Sequence, residues 1–356
     1  MLNRLRRLFT GQPESVIGID IGTESIKLAE VSKQREQLRL LAINLLPIPF
    51  GLISDGCIAG SKEFQGLLRR LLSSCATGCR NVVVAMGSRS FFAREVLLPV
   101  MEEEELREAV KWDMEKYVPY ETGSFYYDFA IAGKTKSNLE MKVLLVAVPL
   151  STINSIVSNI KAVGLSPLAI EIEPLALYRT LDGAANSIVI DLGGELSQIT
   201  VFQQGSPAVI RTIGIGGRRF TEAIMQEFSL EYQAAENLKQ CRTGLLPQAA
   251  SPARQPDRRS QLELVVGELI REVRRTIEYY QIQTPGAVIN SLFLSGGGSK
   301  LDNLSHYIAS QMDLPVLLHQ PLRSLIPAEK ADQERLNGLF PQLAVAIGLA
   351  LRGCGK

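Results

Sequence analysis

Two stretches of the 356-residue chain carry one pattern: Val16–Val31, VIGIDIGTESIKLAEV, and Ser187–Phe202, SIVIDLGGELSQITVF. With Asp20 placed on Asp191, Ile17 meets Ile188, Ile19 meets Ile190, Gly22 meets Gly193 and Glu24 meets Glu195. Each stretch is a β-branched run, an acid-x-Gly turn and a second run, which predicts strand, tight turn, strand. A duplication 171 positions apart predicts two like-folded halves facing each other. Two ordinary hairpins of one mixed sheet would leave the same trace. The length suits about two domains at roughly 150 residues each.

Helical periodicity fills the space between the repeats. Lys62–Cys75 places Phe64, Leu67, Leu68, Leu71 and Leu72 on one stripe. Met101–Tyr117 opens on Glu102–Glu105, favourable beside unpaired helix N–H groups, and stops at Pro119. Thr152–Val163 ends at Gly164, a natural left-handed cap. Short apolar runs at Asn81–Ala85, Phe91–Leu98, Phe125–Ala132 and Met141–Val148 read as strands. The expected organisation is a basic N-terminal segment at 1–15, a first-lobe core at 16–80 and an inserted α+β subdomain at 81–167. A connecting helix follows at 168–186, then the second lobe at 187–342. A C-terminal helix at 343–356 returns to the first lobe. Residues 244–260, with Arg254, Arg258 and Arg259 but no periodicity, read as a mobile surface loop.

Phosphate groups are held where backbone N–H groups converge and small residues let the chain approach. Gly22, Thr23, Glu24 and Ser25 form one candidate turn, and Gly193 and Gly194 the other. Asp20 and Asp191 each set a carboxylate beside it, suited to a hydrated magnesium ion. Gly296, Gly297 and Gly298 follow a strand and make a turn on which a flat base can lie; the Gly-x4-Gly-Lys spacing of a Walker loop is absent. Gly216 and Gly217 give another close-approach turn. Glu236 and Lys239, three apart on a helix, share a face.

Composition removes several alternatives. The 38 Lys and Arg against 37 Asp and Glu leave +1, too little for a surface that coats nucleic acid, and no nucleic-acid partner is expected. Two histidines and five scattered cysteines offer neither a His-based metal centre nor a disulfide framework. The longest apolar run, Leu40–Ile53, is broken by Pro47 and Pro49 and falls short of the roughly 20 residues of a spanning helix. The N-terminus has no signal-peptide core, and a cytoplasmic protein is expected. Leu2, Leu5, Leu8 and Phe9 share a helical face, with Arg4, Arg6 and Arg7 available to anionic lipid, so 1–10 is a candidate membrane-surface contact.

The order of these parts resembles the actin-like ATPase superfamily, which includes sugar kinases and the division protein FtsA. The motifs are IGIDIGTESIKLAEV, EIEPLALY, VIDLGGELSQITVF, IGIGGRRFTEAI, AENLK and LSGGGSKLDNL. Within it the chain is similar to the PilM family of type IV pilus assembly proteins, through Lys27–Glu30, the stretch from Leu98 to Pro119, and Ala235-Glu236-x-x-Lys239. The resemblance implies an α/β actin-like fold with two duplicated lobes and an inserted subdomain. It implies ATP and magnesium as ligands. Gly22–Ser25 and Asp191–Gly194 would bind phosphates, with Lys27 beside them. Asp20 and Asp191 would sit near the metal, and Glu173 would position water. Glu236 and Lys239 would reach the ribose, Gly296–Gly298 the adenine, and Gly216 and Gly217 would approach the nucleotide. Glu24 adds a carboxylate beside the phosphates, so weak or no ATPase activity is expected of the protein alone.

As a partner the resemblance implies the N-terminal cytoplasmic peptide of a PilN-like bitopic inner-membrane protein, held between the first lobe and the insertion, and through it the pilus motor. The expected place is the cytoplasmic face of the inner membrane. A small-molecule kinase on this fold would use Glu195 as base. An FtsA-like filament protein would carry a longer amphipathic tail after Leu351.

Overall fold

The computed structural model describes residues 15–355 apart from 35–36, 55, 76, 88, 136, 182, 242–243, 248–259, 324 and 328–338. The first repeat forms strand β1 (Ser15–Ile21) and its antiparallel partner β2 (Ser25–Gln34), followed by β3 (Gln37–Pro47). From Val16 onward β1 is wholly buried, which is why its run is apolar except at Asp20. A two-residue hairpin, β4 (Ile53–Ser54) and β5 (Cys57–Ile58), leads to helix α1 (Ser61–Cys75), whose Phe64, Leu67, Leu68 and Leu71 are buried. Strand β6 (Asn81–Met86) then runs parallel to β1.

Next comes a separate small layer. Strands β7 (Phe92–Pro99), β8 (Phe125–Lys134) and β9 (Glu140–Pro149) pair in the order β7-β9-β8. Helix α2 (Glu103–Tyr117) buries Leu106, Val110 and Met114 in a core of its own with Val143 and Leu145. It starts two residues later than the expected Met101, because Glu102 is extended. Helix α3 (Leu150–Ala162) returns the chain to strand β10 (Ser166–Ile172), parallel to β6, and to helix α4 (Glu173–Arg179).

The second repeat builds β11 (Ser187–Leu192), β12 (Ser197–Gln203) and β13 (Ser206–Ile213), then helices α5 (Gly217–Phe228), α6 (Tyr232–Cys241) and α7 (Gln261–Gln283). Strand β14 (Ser291–Ser295) runs parallel to β11, and a 3-10 turn, Gly297–Lys300, leads to α8 (Leu304–Gln311) and β15 (Val316–Leu318). Strand β16 (Ile326–Pro327) and helix α9 (Phe340–Gly353) end the fold.

The two large sheets share one topology. Their orders are β10-β6-β1-β2-β3-β16 and β13-β12-β11-β14-β15. In each, three antiparallel strands lead and two parallel strands follow across the first. The register matches residue for residue: Asp20 faces Lys27, and Asp191 faces Gln198.

Two expected boundaries need correction. The strand at Asn81 was expected in the insertion, but Val82, Val83 and Val84 are shielded on both faces in the large sheet, and β10 sits beside them. A single helix over three strands cannot offer that shielding, so the separate layer spans Phe92–Pro149. The connecting segment at 168–186 is strand as far as Ile172, and its helix covers only Glu173–Arg179. The N-terminal segment up to Glu14 and most of the expected loop at 244–260 lie outside the described residues.

Helix α9 packs on β1, β2, β6 and α4 through backbone contact. A Cβ at Gly348 would stand 1.9 Å from the Ala176 carbonyl oxygen, and one at Gly18 would stand 1.9 Å from that of Ala346. Only glycine permits that approach.

Candidate functional site

The two duplicated turns face one cavity of about 740 Å³ between the lobes. Gly22 N–H donates to the Ser25 carbonyl at 3.1 Å, and Gly193 N–H to that of Leu196 at 3.0 Å, so both turns close in the same way. A Cβ at Gly193 would lie 2.6 Å from the Leu196 oxygen. Gly296 has φ +79°, and a Cβ there would strike Asp191 Oδ1 at 2.5 Å. The glycines thus leave room for backbone and carboxylate to meet.

Every site residue expected from the sequence lines this cavity except Gly216. Asp20, Gly22, Thr23, Glu24, Ser25 and Lys27 come from the first turn; Asp191, Gly193 and Gly194 come from the second. Glu173 enters at the start of α4, and Gly296, Gly297 and Gly298 from the turn after β14. Gly217, Glu236 and Lys239 form the wall on α5 and α6. Gly216 packs instead beneath the second turn, where its Cβ would come within 2.5 Å of the Gly194 carbonyl oxygen.

The cavity floor is acidic. Asp20 is buried and accepts a bond from Lys27 Nζ at 2.8 Å. Burial pulls the Lys27 ammonium down, but Asp20, then Asp191 and Glu173, outweigh it and leave its pKa raised. Burial, then repulsion from Asp20, lifts the Asp191 carboxyl to about 7. Glu173 is held well above the ordinary carboxylate range by burial, then by Asp20 and Asp191. Opposite Asp191, where the first repeat has lysine, Gln198 is 3% exposed, and neither its amide nitrogen nor its amide oxygen has a partner. A buried unpaired amide is costly, and one on a cavity wall is a group waiting for a ligand or a water.

The wall is tied together by ion pairs. Gly217 N–H donates to the Gly193 carbonyl at 2.9 Å and Arg218 N–H to that of Gly194 at 2.8 Å, so the start of α5 is capped by the second turn. Glu236 Oε2 accepts from Lys239 Nζ and from Thr221 Oγ1, both at 2.6 Å, and Lys239 Nζ also donates to the Gly217 carbonyl at 3.1 Å. Burial would raise the Glu236 carboxyl, but the Lys239 and Thr221 bonds outweigh it and hold it low. Among the described residues, no group of three His, Cys, Asp or Glu side chains is placed to hold a metal ion unaided.

Sequence reasoning missed Gln198 and Arg218. Gln198 was visible as the counterpart of Lys27 once the repeats are aligned. Arg218 sits in the Gly-Gly-Arg-Arg run, but its cross-lobe partner gives no local signal.

Two lobes of one topology, each giving an Asp-x-Gly turn to a shared cleft, define the actin-like ATPase fold. A family model described as type IV pilus assembly protein PilM matches residues 18–354. The chain belongs to that family.

Among solved structures the chain is similar to the PilM-PilN type IV pilus biogenesis complex: 27% identity, 97% of this chain and 100% of that one covered, TM-score 0.82. It shares the fold of MreB5 of Spiroplasma citri bound to ADP, at 15% identity, 95% of each chain and TM-score 0.52. Among curated proteins it is similar to the cell division protein FtsA of Borreliella burgdorferi, 23% identical over 179 residues, 46% of this chain. That match takes in 42% of the FtsA chain, so less than half of that relative is covered. No helix among the described residues is long and apolar enough to cross a membrane.

Proposed function

We propose that this protein is a nucleotide-binding adaptor of pilus assembly. It holds the N-terminal cytoplasmic peptide of a PilN-like bitopic membrane protein at the cytoplasmic face of the inner membrane and links it to the pilus motor. One observation carries the reading: none of the cavity-lining residues comes from the layer at Phe92–Pro149. That layer has its own core, and its open edge strand β8 exposes Tyr126, Tyr127 and Ile131. A subdomain with no share in the cleft and an open apolar edge is built for recognition, and extended peptides dock on such edges or in adjoining grooves. The whole-chain likeness to PilM of the PilM-PilN complex supports a PilN-like peptide as the occupant.

The cleft is read as a site for ATP with magnesium. The glycine turns leave room for phosphates, and Gln198 offers an unpaired amide to them. Asp20 and Asp191 would hold the metal through water, and the metal would supply charge for the phosphates. Glu236 and Lys239 would meet the ribose and Gly296–Gly298 the base. Glu173 is held well above the ordinary carboxylate range by burial, then by Asp20 and Asp191, and its role is to orient a water rather than to take its proton. Turnover by the isolated protein is therefore slow, below roughly 1 per second, where kinases begin.

The test is a fluorescent peptide of the partner's N-terminus carrying a photo-crosslinker, titrated onto the full chain with and without ATP and magnesium. Crosslinks are expected on Phe92–Pro149 and on the neighbouring first lobe. Crosslinks confined to the second lobe, or no binding, overturn the adaptor reading.

A further inference from the structure

Glu24 and Glu195 hold the same position in the two duplicated turns, and one guanidinium joins them. Arg218 Nη2 donates to Glu24 Oε1 at 2.7 Å, and Nη1 donates to Glu195 Oε1 at 2.8 Å. The Phe50 ring lies 4.9 Å from the Arg218 Cζ. Arg218 and Glu195 belong to the second lobe; Glu24 and Phe50 belong to the first.

The two halves of this contact differ in rigidity. Arg218 is fixed to its own lobe at the backbone, through its N–H on the Gly194 carbonyl, and at the side chain, through Glu195. Its hold on the first lobe consists of the Glu24 carboxylate and the Phe50 face. Glu24 lies directly over Gly194, where a Cβ would come within 2.2 Å of its Cγ. Parting the lobes breaks the Glu24 and Phe50 contacts and leaves the Glu195 contact intact, so the guanidinium stays aimed for reclosure.

We infer that Arg218 is a latch between the lobes, and that its pairing with Glu24 beneath Phe50 gates the entry and exit of nucleotide at the phosphate end of the cleft. The inference rests on the reading of the cleft as a nucleotide site. It accounts for a carboxylate on a phosphate-facing turn. Unpaired, Glu24 would repel a polyphosphate; paired, its charge is cancelled. The Arg218 side chain is 24% exposed and that of Glu24 46%. An ion pair so open to water is weak, which suits a contact that must break often. The aromatic face adds cation–π attraction from the same lobe as Glu24.

Cys57 and Cys241 are exposed thiols on opposite lobes, next in sequence to cavity-lining Gly56 and Gln240. The full-length protein is spin-labelled at these two positions, with Cys75→Ser and Cys79→Ser in every version. Their separation is measured by pulsed electron paramagnetic resonance without nucleotide, in the parent, Glu24→Gln and Arg218→Ala. Both variants are expected to show longer, broader distances than the parent. Stopped-flow mixing with a fluorescent ATP analogue and magnesium is expected to show association and dissociation both faster by about threefold, the scale of an exposed ion pair. Unchanged distances overturn the latch, and lost affinity alongside them would make Arg218 a phosphate ligand instead. A parent that binds no nucleotide overturns the nucleotide reading, and the distance measurement, which needs none, still decides whether Arg218 holds the lobes together.

Discussion

Lys27 and Gln198 stand at the same place in the two halves of the molecule, each directly across the ladder from its turn's aspartate. The backbone is duplicated but the charge is not. Asp20 has its counter-ion at 2.8 Å; Asp191 faces a neutral amide and keeps its proton up to about 7. One half of the cleft floor is thus a fixed ion pair and the other a titrating group.

Asp191 makes the empty protein less stable as pH rises. An ordinary aspartate releases its proton near 3.8, whereas Asp191 in the fold holds it to about 7. Between those values the folded form binds a proton that the unfolded chain has lost, so stability falls as pH climbs through that window. Asp191→Asn removes the titration. Thermal melts without nucleotide should show the variant stabilised at pH 8 by up to about 4 kcal/mol and nearly unchanged at pH 4.

Lys27→Met leaves Asp20, Asp191 and Glu173 together without a cation. Breaking a buried pair from one side costs about 3 kcal/mol or more. Denaturant titration should show the larger loss at pH 8 and a smaller one at pH 5, where Asp191 holds its proton.

Gln198→Leu removes the orphaned amide while keeping its bulk. The nucleotide-free protein should gain about 1 to 3 kcal/mol, the penalty of an unpaired buried polar group. Calorimetry with ATP and magnesium should show weaker binding in the same variant. A variant that gains stability and binds as tightly as the parent would show that the amide serves no ligand.

Gly348→Ala drives a methyl group into the Ala176 carbonyl at 1.9 Å, backbone against backbone. Overpacking of this kind costs about 1 to 3 kcal/mol. Gly66→Ala, at a half-buried position of α1 where a Cβ meets nothing within 4 Å, should stabilise by a few tenths to about 1 kcal/mol. Melting temperatures of the two variants should move in opposite directions.

The duplication was legible because a strand buried on both faces must be apolar throughout, and two such runs around an acid-x-Gly turn leave little else to build. The edges of the insertion were not. NVVVAM at Asn81–Met86 reads the same whether it joins a large sheet or a small one, and only its pairing to β1 decides. The glycines of the cleft could be read as close-approach positions, yet Gly216 approaches its own second turn, a distinction set by where α5 begins. The Arg218–Glu24 contact joins residues 194 apart in sequence and belongs to no periodic pattern.

The small layer at Phe92–Pro149 is covalently part of the first lobe, yet β7 lies against β13 of the second. Lys142 Nζ reaches Gln203 there at 2.6 Å while pairing with Glu95 of its own sheet at 3.3 Å. The layer therefore spans the two lobes as a strut, rooted in one and braced on the other. Any rotation of one lobe past the other must either slide that brace or tilt the strut. A peptide seated on its surface would feel the state of the cleft as a change in footing, with no moving loop needed to carry the message.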